Sequence, residues 1–428
     1  MINSTYEHIK TAYQQSAKEC LGFRTKKGSK EWIKQKTWKA IEDRRNLKNQ
    51  LLNTHSERLQ TKYKQQYREA NKTVKRMVRA DRRAYIEELA EEAERATTRG
   101  EQGQLYRISR QVCGKHHSTV SLPIKDKQGK LLTTEAEQDT RWAEHFQEVL
   151  NRDPPTEGAD IPEGKTDLDI NTDPPTKEEI VSVIKSLKSN KAPGHDNLNA
   201  ELFKTDTETA SKILQPFFKT VWISASIPEE WTKGVIIKIP KKGTLSECNN
   251  WRGITLLSIP SKIMAKIIIN RLSEAVNAIL RKEQAGFRKG RRCTEQIFAL
   301  RNIIEQSAEW QQQLFVNFID FEKAFDSVHR DSLWRILRAY GVPTHMIKLI
   351  RSFYNNYRCC VGGSDIWFEV KTGVRQGCVM SALLFNVVID WVMRRTTEAG
   401  PTGIRWTLFS TLEDLDFADD LALISHIH

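Results

Sequence analysis

An apolar run, Leu314-Phe315-Val316-Asn317-Phe318-Ile319, ends in Asp320, and an aromatic ring, Phe325, follows five residues later. Charge avoids the end of an apolar strand unless something pairs with it, so Asp320 asks for a cation. A second segment, Leu415-Asp416-Phe417-Ala418-Asp419-Asp420-Leu421-Ala422-Leu423-Ile424, sets adjacent aspartates between two apolar runs. That is the composition of a hairpin with its acids at the turn. Neighbouring carboxylates repel unless a metal neutralises them. An Asp-Asp pair by itself is more often plain turn chemistry. Joined to a strand-terminal aspartate, it becomes a candidate site for two hard cations about 3.5–4 Å apart, the requirement of in-line nucleotidyl transfer. Magnesium suits such a site, because it prefers a few carboxylates plus substrate phosphates to an all-protein cage.

The elements that must position these groups are legible around them. Short β-branched runs (235–239, 314–319) alternate with helical segments (261–280, 332–340), the pattern of an α/β or α+β domain. Its start is marked by a capping box, Thr176 with Glu179, followed by Ile180, Val183, Ile184 and Leu187 on one helical face. The longest apolar stretch, 379–393, contains Asn386 and Asp390 and falls short of the roughly 18–20 residues that span a bilayer. It reads as a buried helix. At 428 residues and 39% hydrophobic, the chain suffices for two or three domains with their own cores and is too polar for a membrane protein.

Charge divides the chain further. Residues 1–115 hold 27 Lys+Arg against 14 Asp+Glu, residues 116–180 hold 7 against 15, and the rest hold 33 against 25. The first segment therefore accounts for the whole net charge of +13. Within it, residues 56–98 have almost no helix breakers, and Tyr63, Tyr67, Ala70, Val74 and Met77 recur at helical spacing, a packing seam flanked by Lys and Arg. A basic helical arm favours a polyanion, though a solvated face is the blander reading of any lysine-rich helix. Glu87, Glu88, Glu91, Glu92 and Glu94 near its C-terminal end oppose the helix dipole, so the helix should fray or need a partner. Residues 151–175, rich in Pro and Asp with Asp-Pro-Pro-Thr occurring twice, read as a linker. The expected order is thus a basic helical arm or connector (1–115), a short acidic helical segment (116–150), the linker (151–175) and the main domain (176–428). Seven scattered cysteines without a C-x-x-C pair argue against a disulfide scaffold or zinc knuckle, and the polar first residues argue against a signal peptide.

Six segments occur together in one order. Asn190-Lys191-Ala192-Pro193-Gly194-His195-Asp196 is followed by Ile239-Pro240-Lys241-Lys242 with Asn250-Trp251-Arg252-Gly253-Ile254, then by Glu283-Gln284-Ala285-Gly286-Phe287-Arg288-Lys289-Gly290-Arg291. The Asp320 segment, Gly373-Val374-Arg375-Gln376-Gly377-Cys378 and Phe417-Ala418-Asp419-Asp420 complete the set. The series resembles the reverse transcriptase of non-LTR (LINE-like) retrotransposons over about residues 176–428, and residues 1–150 resemble the basic connector that precedes it there.

The resemblance implies an α+β right-hand polymerase, with fingers and an incomplete palm but no thumb, behind a mostly helical basic arm. It implies an RNA-directed DNA polymerase that extends a DNA primer on an RNA template from deoxynucleoside triphosphates, with two magnesium ions or, as second choice, manganese. Asp320, Asp419 and Asp420 become the palm carboxylates, Asp320 and Asp419 the main metal ligands. Phe325 becomes the steric gate beneath the sugar, with Phe321 beside it; alone, Phe325 would be read as core packing. Arg252, and more weakly Lys241 or Lys242, would reach the triphosphate. Gln376 and Gly377 would lie beside the incoming nucleotide, and Arg288, Lys289, Arg291 and Arg292 along the template backbone. A cytoplasmic or nuclear place and no membrane are expected. The chain stops at His428, soon after Asp420, so a fragment is expected, and a thumbless nucleic-acid-binding remnant without turnover is the alternative. An RNA-dependent RNA polymerase shares the carboxylate logic, but the ring at Phe325 argues against it.

Overall fold

The polypeptide opens on a helix, α1 (Ile2–Leu21), that buries Tyr6 and Ile9. The Tyr6 hydroxyl donates to Asp196 at 2.6 Å, and its ring lies 5.8 Å from those of Phe217 and Trp231. In the computed structural model, which describes residues 2–22, 32–54, 56–113, 122–164, 166–397, 402–407 and 410–427, the chain forms two units. One is Gly22–Val120; the other combines Met1–Leu21 with Ser121–His428. The first 21 residues therefore leave the basic arm to which their charge assigns them. Tyr6, Ile9 and Tyr13 fall on one helical stripe, and that stripe, not the net charge, decides where α1 packs.

The smaller unit contains α2 (Gln35–Asn53), α3 (Glu57–Thr98) and α4 (Gln102–Val112). The apolar seam holds α3 to its neighbours: Val74 is buried, and Tyr63, Tyr67, Ala70 and Met77 are half-buried. Asp81 of α3 accepts the Lys34 N–H at 3.0 Å just before α2, and Arg44 donates to Asn71 at 3.1 Å. Of the glutamates near the end of α3, Glu92 meets α4, where Gln104 and Arg107 reach it at 2.9 and 3.3 Å.

The larger unit mixes helices and sheets. A hairpin, β1 (Ile124–Lys125) and β2 (Leu131–Leu132), precedes α5 (Glu135–Val149), capped by Thr134, whose Oγ accepts the Glu137 N–H. Trp142 and Phe146 of α5 pack into a small core with Ile236 and Cys359, so the acidic segment is part of this unit and not a module of its own. The described residues of 151–175 form no helix or strand, yet they do not behave as a free linker. Ile161 and Ile170 are buried in the main core, Leu168 N–H donates to Gly341 at 2.7 Å, and Arg335 and Trp222 bond the carbonyls of Ile161 and Thr172. Two isoleucines among prolines and acids anchor an extended strap, a signal too sparse for periodicity to show.

The capping box at Thr176 and Glu179 is formed and starts α6 (Lys177–Ser186), after which come α7 (Ala200–Thr205) and α8 (Thr207–Ser224). Then β3 (Lys233–Pro240) and β4 (Trp251–Leu256) make an antiparallel hairpin, followed by α9 (Ile259–Ile279), whose isoleucines face inward on nearly every side. The remaining elements are α10 (Cys293–Glu309), β5 (Phe315–Asp320), α11 (Ala324–Ser327), α12 (Arg330–Ala339), α13 (Thr344–Ser352), β6 (Arg358–Val361), β7 (Phe368–Glu369) and α14 (Ser381–Thr397). The chain closes with β8 (Ile404–Thr407), β9 (Ser410–Leu412), β10 (Asp414–Phe417) and β11 (Asp420–Ser425). Two sheets matter for function: β4-β3-β6-β7, with β3 and β6 parallel, and the antiparallel β10-β11-β5. Helices α9, α12 and α14 fill the core beside them. Among the described residues no helix is long and apolar enough to cross a membrane.

Candidate active site

The register of the three-stranded sheet brings the separated aspartates to one edge. Asp420 opens β11 directly opposite Asp320, which closes β5, while Phe417 pairs with Asp420 across the hairpin. Facing residues in an antiparallel pair have Cβ atoms about 4.5–5.5 Å apart and point to the same side. Asp419 sits in the two-residue turn between β10 and β11, behind Ala418, whose φ of +61° is left-handed. Asp320 and Asp420 are exposed and Asp419 half-exposed. The Asp420 carboxyl is held above its ordinary value, by burial first and then by the charges of Asp419 and Asp320. None of the three forms an ion pair or side-chain hydrogen bond with a described residue. Among the described residues no group of three His, Cys, Asp or Glu is arranged to hold a metal ion by itself. The edge offers instead an oxygen-only donor set open to water and phosphate, which fits magnesium better than a metal that needs a closed protein cage.

Further along the chain from Asp320 comes a second group that sequence alone did not assign. Asp326, in α11, is mostly buried and its carboxyl rises to about 6; burial is the cause, opposed by Lys323, Arg152, Lys241 and Arg252. Four cations thus act on one carboxylate, and Lys241 and Arg252, the expected triphosphate contacts, are among them with exposed side chains. Lys242 is exposed next to Lys241. Gln376 donates its side-chain amide N–H to both oxygens of Asp326 at 3.2 Å, and its backbone carbonyl accepts the Thr255 N–H at 2.8 Å. Gly377 has a φ of +110° and lies so close to β4 that a Cβ there would stand 2.3 Å from the Thr255 carbonyl oxygen, so only glycine fits. Phe325 is half-buried, stacked on Phe385 at 4.4 Å and edge-on to Phe287 at 5.9 Å, while Phe321 is exposed. The stacking fixes the Phe325 ring.

The 281–292 loop departs from expectation in one place. Arg288 turns inward and donates to the carbonyls of Arg281, Gln284 and Asn277, so its guanidinium folds the loop and is not free for phosphate. Arg291 bonds the Lys282 carbonyl at 2.8 Å but stays exposed, as do Lys289 and Arg292. Under the hairpin, Arg281 pairs with Asp414 and stands 3.7 Å from Asp416; both carboxylates are buried. Asp390 accepts the Arg281 N–H at 2.6 Å, the Tyr340 hydroxyl at 2.5 Å and Arg394 at 2.8 Å. No sequence signal marks this network, since its members lie far apart and each is a common surface residue type.

Residues 239–427 match the family described as reverse transcriptase (RNA-dependent DNA polymerase). Over that segment the chain is similar to reverse transcriptases of non-LTR retrotransposons. The chain is 29% identical over 279 residues to the probable RNA-directed DNA polymerase from transposon BS of Drosophila melanogaster, covering 62% of this chain and 31% of that protein. It is 28% identical over 222 residues to the transposon TX1 uncharacterized 149 kDa protein of Xenopus laevis (51% and 17%) and 28% over 259 residues to the RNA-directed DNA polymerase from mobile element jockey of Drosophila melanogaster (58% and 27%). The chain thus spans less than a third of the length of each of these relatives. Among solved structures, telomerase from Candida tropicalis in complex with a telomeric RNA fragment overlays with a TM-score of 0.34 at 13% identity, over 50% of this chain and 40% of that one, too loosely to bear on the site.

Proposed function

We propose that this chain copies RNA into DNA, adding deoxynucleotides to the 3′ end of a DNA primer. The single observation that supports this most is the pairing of Asp320 with Asp420 across β5 and β11, with Asp419 in the adjoining turn. In this reading the β10-β11-β5 sheet is the palm and the β3-β4 hairpin belongs to the fingers. Asp320 and Asp419 are the principal ligands for two magnesium ions, and Asp420 is the third carboxylate. When bound, the ions would lower the barrier to attack by the primer 3′-hydroxyl and offset the charge of the departing pyrophosphate.

The protein's own groups orient the reactants. Arg252 and Lys241, with Lys242, draw the triphosphate toward the carboxylate edge, and a guanidinium fork holds phosphate oxygens in a fixed plane. Gln376 and Gly377 let the incoming nucleotide lie against the backbone. Phe325, braced by Phe385, blocks a 2′-hydroxyl and so selects deoxynucleotides, and the exposed Phe321 is the second aromatic of this nucleotide site. Lys289, Arg291 and Arg292 run along the template. In the smaller unit, Lys72, Arg76, Arg79 and Arg83 are exposed at helical spacing on α3 and form a phosphate-binding stripe.

Primer extension on an RNA template, wild type against Asp419→Ala, tests the catalytic assignment. Wild-type synthesis no higher than the variant's rejects it. Replacing the four basic residues of the α3 stripe with Gln should flatten the dependence of log RNA affinity on log salt, by up to about 0.7–0.9 for each phosphate no longer neutralised. An unchanged slope removes the stripe from the binding surface.

A further inference from the structure

The Asp419–Asp420 turn is built in a way that it does not sustain alone. A two-residue hairpin loop with a left-handed first residue favours Gly, Asn or Asp there. Here the residue is Ala418, with a Cβ that disfavours this conformation. Its backbone is held by a side chain 134 residues away in sequence. Gln284, in the 281–292 loop, is 1% exposed and bridges to Asp416 of β10. Its Oε1 accepts the Ala418 N–H at 2.8 Å and the Gly286 N–H at 2.7 Å, and its Nε2 donates to the Ala418 carbonyl at 3.1 Å. One amide therefore closes on both polar groups of the same peptide residue.

The surroundings fix that amide in turn. Ala285 N–H donates to the Asp416 carbonyl at 2.9 Å and Asp416 N–H to the Glu283 carbonyl at 3.3 Å, so the loop runs along β10 as a short parallel bridge. Asn386, 1% exposed on α14, donates to the Gly286 carbonyl at 2.8 Å. Gly286 presses against the turn so closely that a Cβ would stand 2.2 Å from the Ala418 nitrogen. Loop, strand and helix all converge on the residue immediately before the two aspartates.

We infer that Gln284 is a positioning residue: it clamps the Ala418 peptide and thereby sets where Asp419 and Asp420 present their carboxylates to divalent cations. The inference rests on reading those aspartates as the metal-binding turn. Gln284 touches neither substrate nor ion, and its role is exerted through the backbone it holds. Outer partners that orient ligating carboxylates commonly matter to metal affinity almost as much as the ligands do.

Gln284→Met keeps the length and volume of the side chain and removes both hydrogen-bonding ends. In the full chain, hydrogen exchange at the Ala418 amide should accelerate roughly fivefold to tenfold while amides in α9 keep their protection. The dissociation constant for Mn2+, read by electron paramagnetic resonance without nucleotide, should rise about 10- to 100-fold. Gln284→Glu, which retains Oε1 for the two N–H groups but loses the amide donor, should fall between wild type and Gln284→Met; it decides the matter if Gln284→Met does not fold. Unchanged exchange at Ala418 overturns the clamp, and faster exchange with unchanged Mn2+ affinity overturns its link to the carboxylates. If Asp419→Ala also leaves Mn2+ binding unmoved, the metal-site assignment falls, while the exchange result still decides the clamp.

Discussion

One hairpin carries two sets of aspartates with opposite fates. Strand alternation sends Asp414 and Asp416 of β10 inward, where both are essentially without solvent contact, while Phe417 and its partner Asp420 face the other side with Asp320. The inner pair lies against Arg281 and is closed off from water; the outer trio pairs with no cation among the described residues and is open. The lesson is that acidity alone does not mark a metal site. What distinguishes the outer set is an accessible edge where no described residue pairs with it, and what distinguishes the inner set is a fixed guanidinium beside two buried carboxylates.

The comparison breaks first at activity. Asp419→Ala should lower primer extension by about 10²- to 10³-fold or more, several kcal/mol of transition-state stabilisation, with little change in melting temperature. A large drop in stability with activity intact would reverse the roles given to the two sets. Next comes Arg281→Met, which strands Asp414 and Asp416 without their cation. Breaking a buried pair from one side costs about 3–5 kcal/mol, so urea unfolding should show a loss of that order. Asp420→Asn, which relieves repulsion at an exposed edge, should leave the same curve nearly unmoved.

Much of the outer set could be read in the sequence because its signals are local. An apolar run ending in Asp320 and two apolar runs around Asp419-Asp420 give strands and a turn by period alone, and β5, β10 and β11 lie where those runs place them. Thr176 and Glu179 give the start of α6 by the same local logic. The inner set could not be read this way, because Arg281, Asp390, Asp414 and Asp416 announce themselves only when the fold brings them together. Arg288 misled for the same reason: its place in a basic cluster suggests phosphate, and only tertiary structure shows three backbone carbonyls around it. Charge counting likewise hid the Tyr6, Ile9 and Tyr13 stripe that draws α1 into the larger unit.

Titration sharpens the contrast on a smaller scale. Burial, then the neighbouring Asp414 charge, lifts the Asp416 carboxyl to about 7 against the pull of Arg281. Its folded value thus lies above its unfolded one, and between about pH 4 and 7 the folded state holds the extra proton. Its contribution to stability is fully present below about pH 4 and is lost as pH rises through 7, a change of about 2–4 kcal/mol. Asp416→Asn stays neutral throughout and should remove that slope from unfolding free energies measured across the window. A slope equal to wild type would mean that Asp416 is ionised in the folded protein and that Arg281 satisfies both inner carboxylates.

The smallest effect separates backbone strain from charge at the outer turn. A left-handed conformation costs an L-residue roughly 1–2 kcal/mol, while glycine gives back roughly 0.5–1 kcal/mol through its greater freedom in the unfolded chain. Ala418→Gly should therefore stabilise the protein by about 0.5–1 kcal/mol, because the strain relieved exceeds the entropy lost. Combined with Gln284→Met, the same change should recover part of that variant's lost Mn2+ affinity, since glycine holds the turn without the outside brace. If Ala418→Gly destabilises instead, the Ala418 methyl group contributes more by packing against Gly286 than it loses in backbone strain. The accessible edge would then be kept in place by close packing as well as by hydrogen bonds, and the outer aspartates would depend on a fitted interior just as the inner ones depend on Arg281.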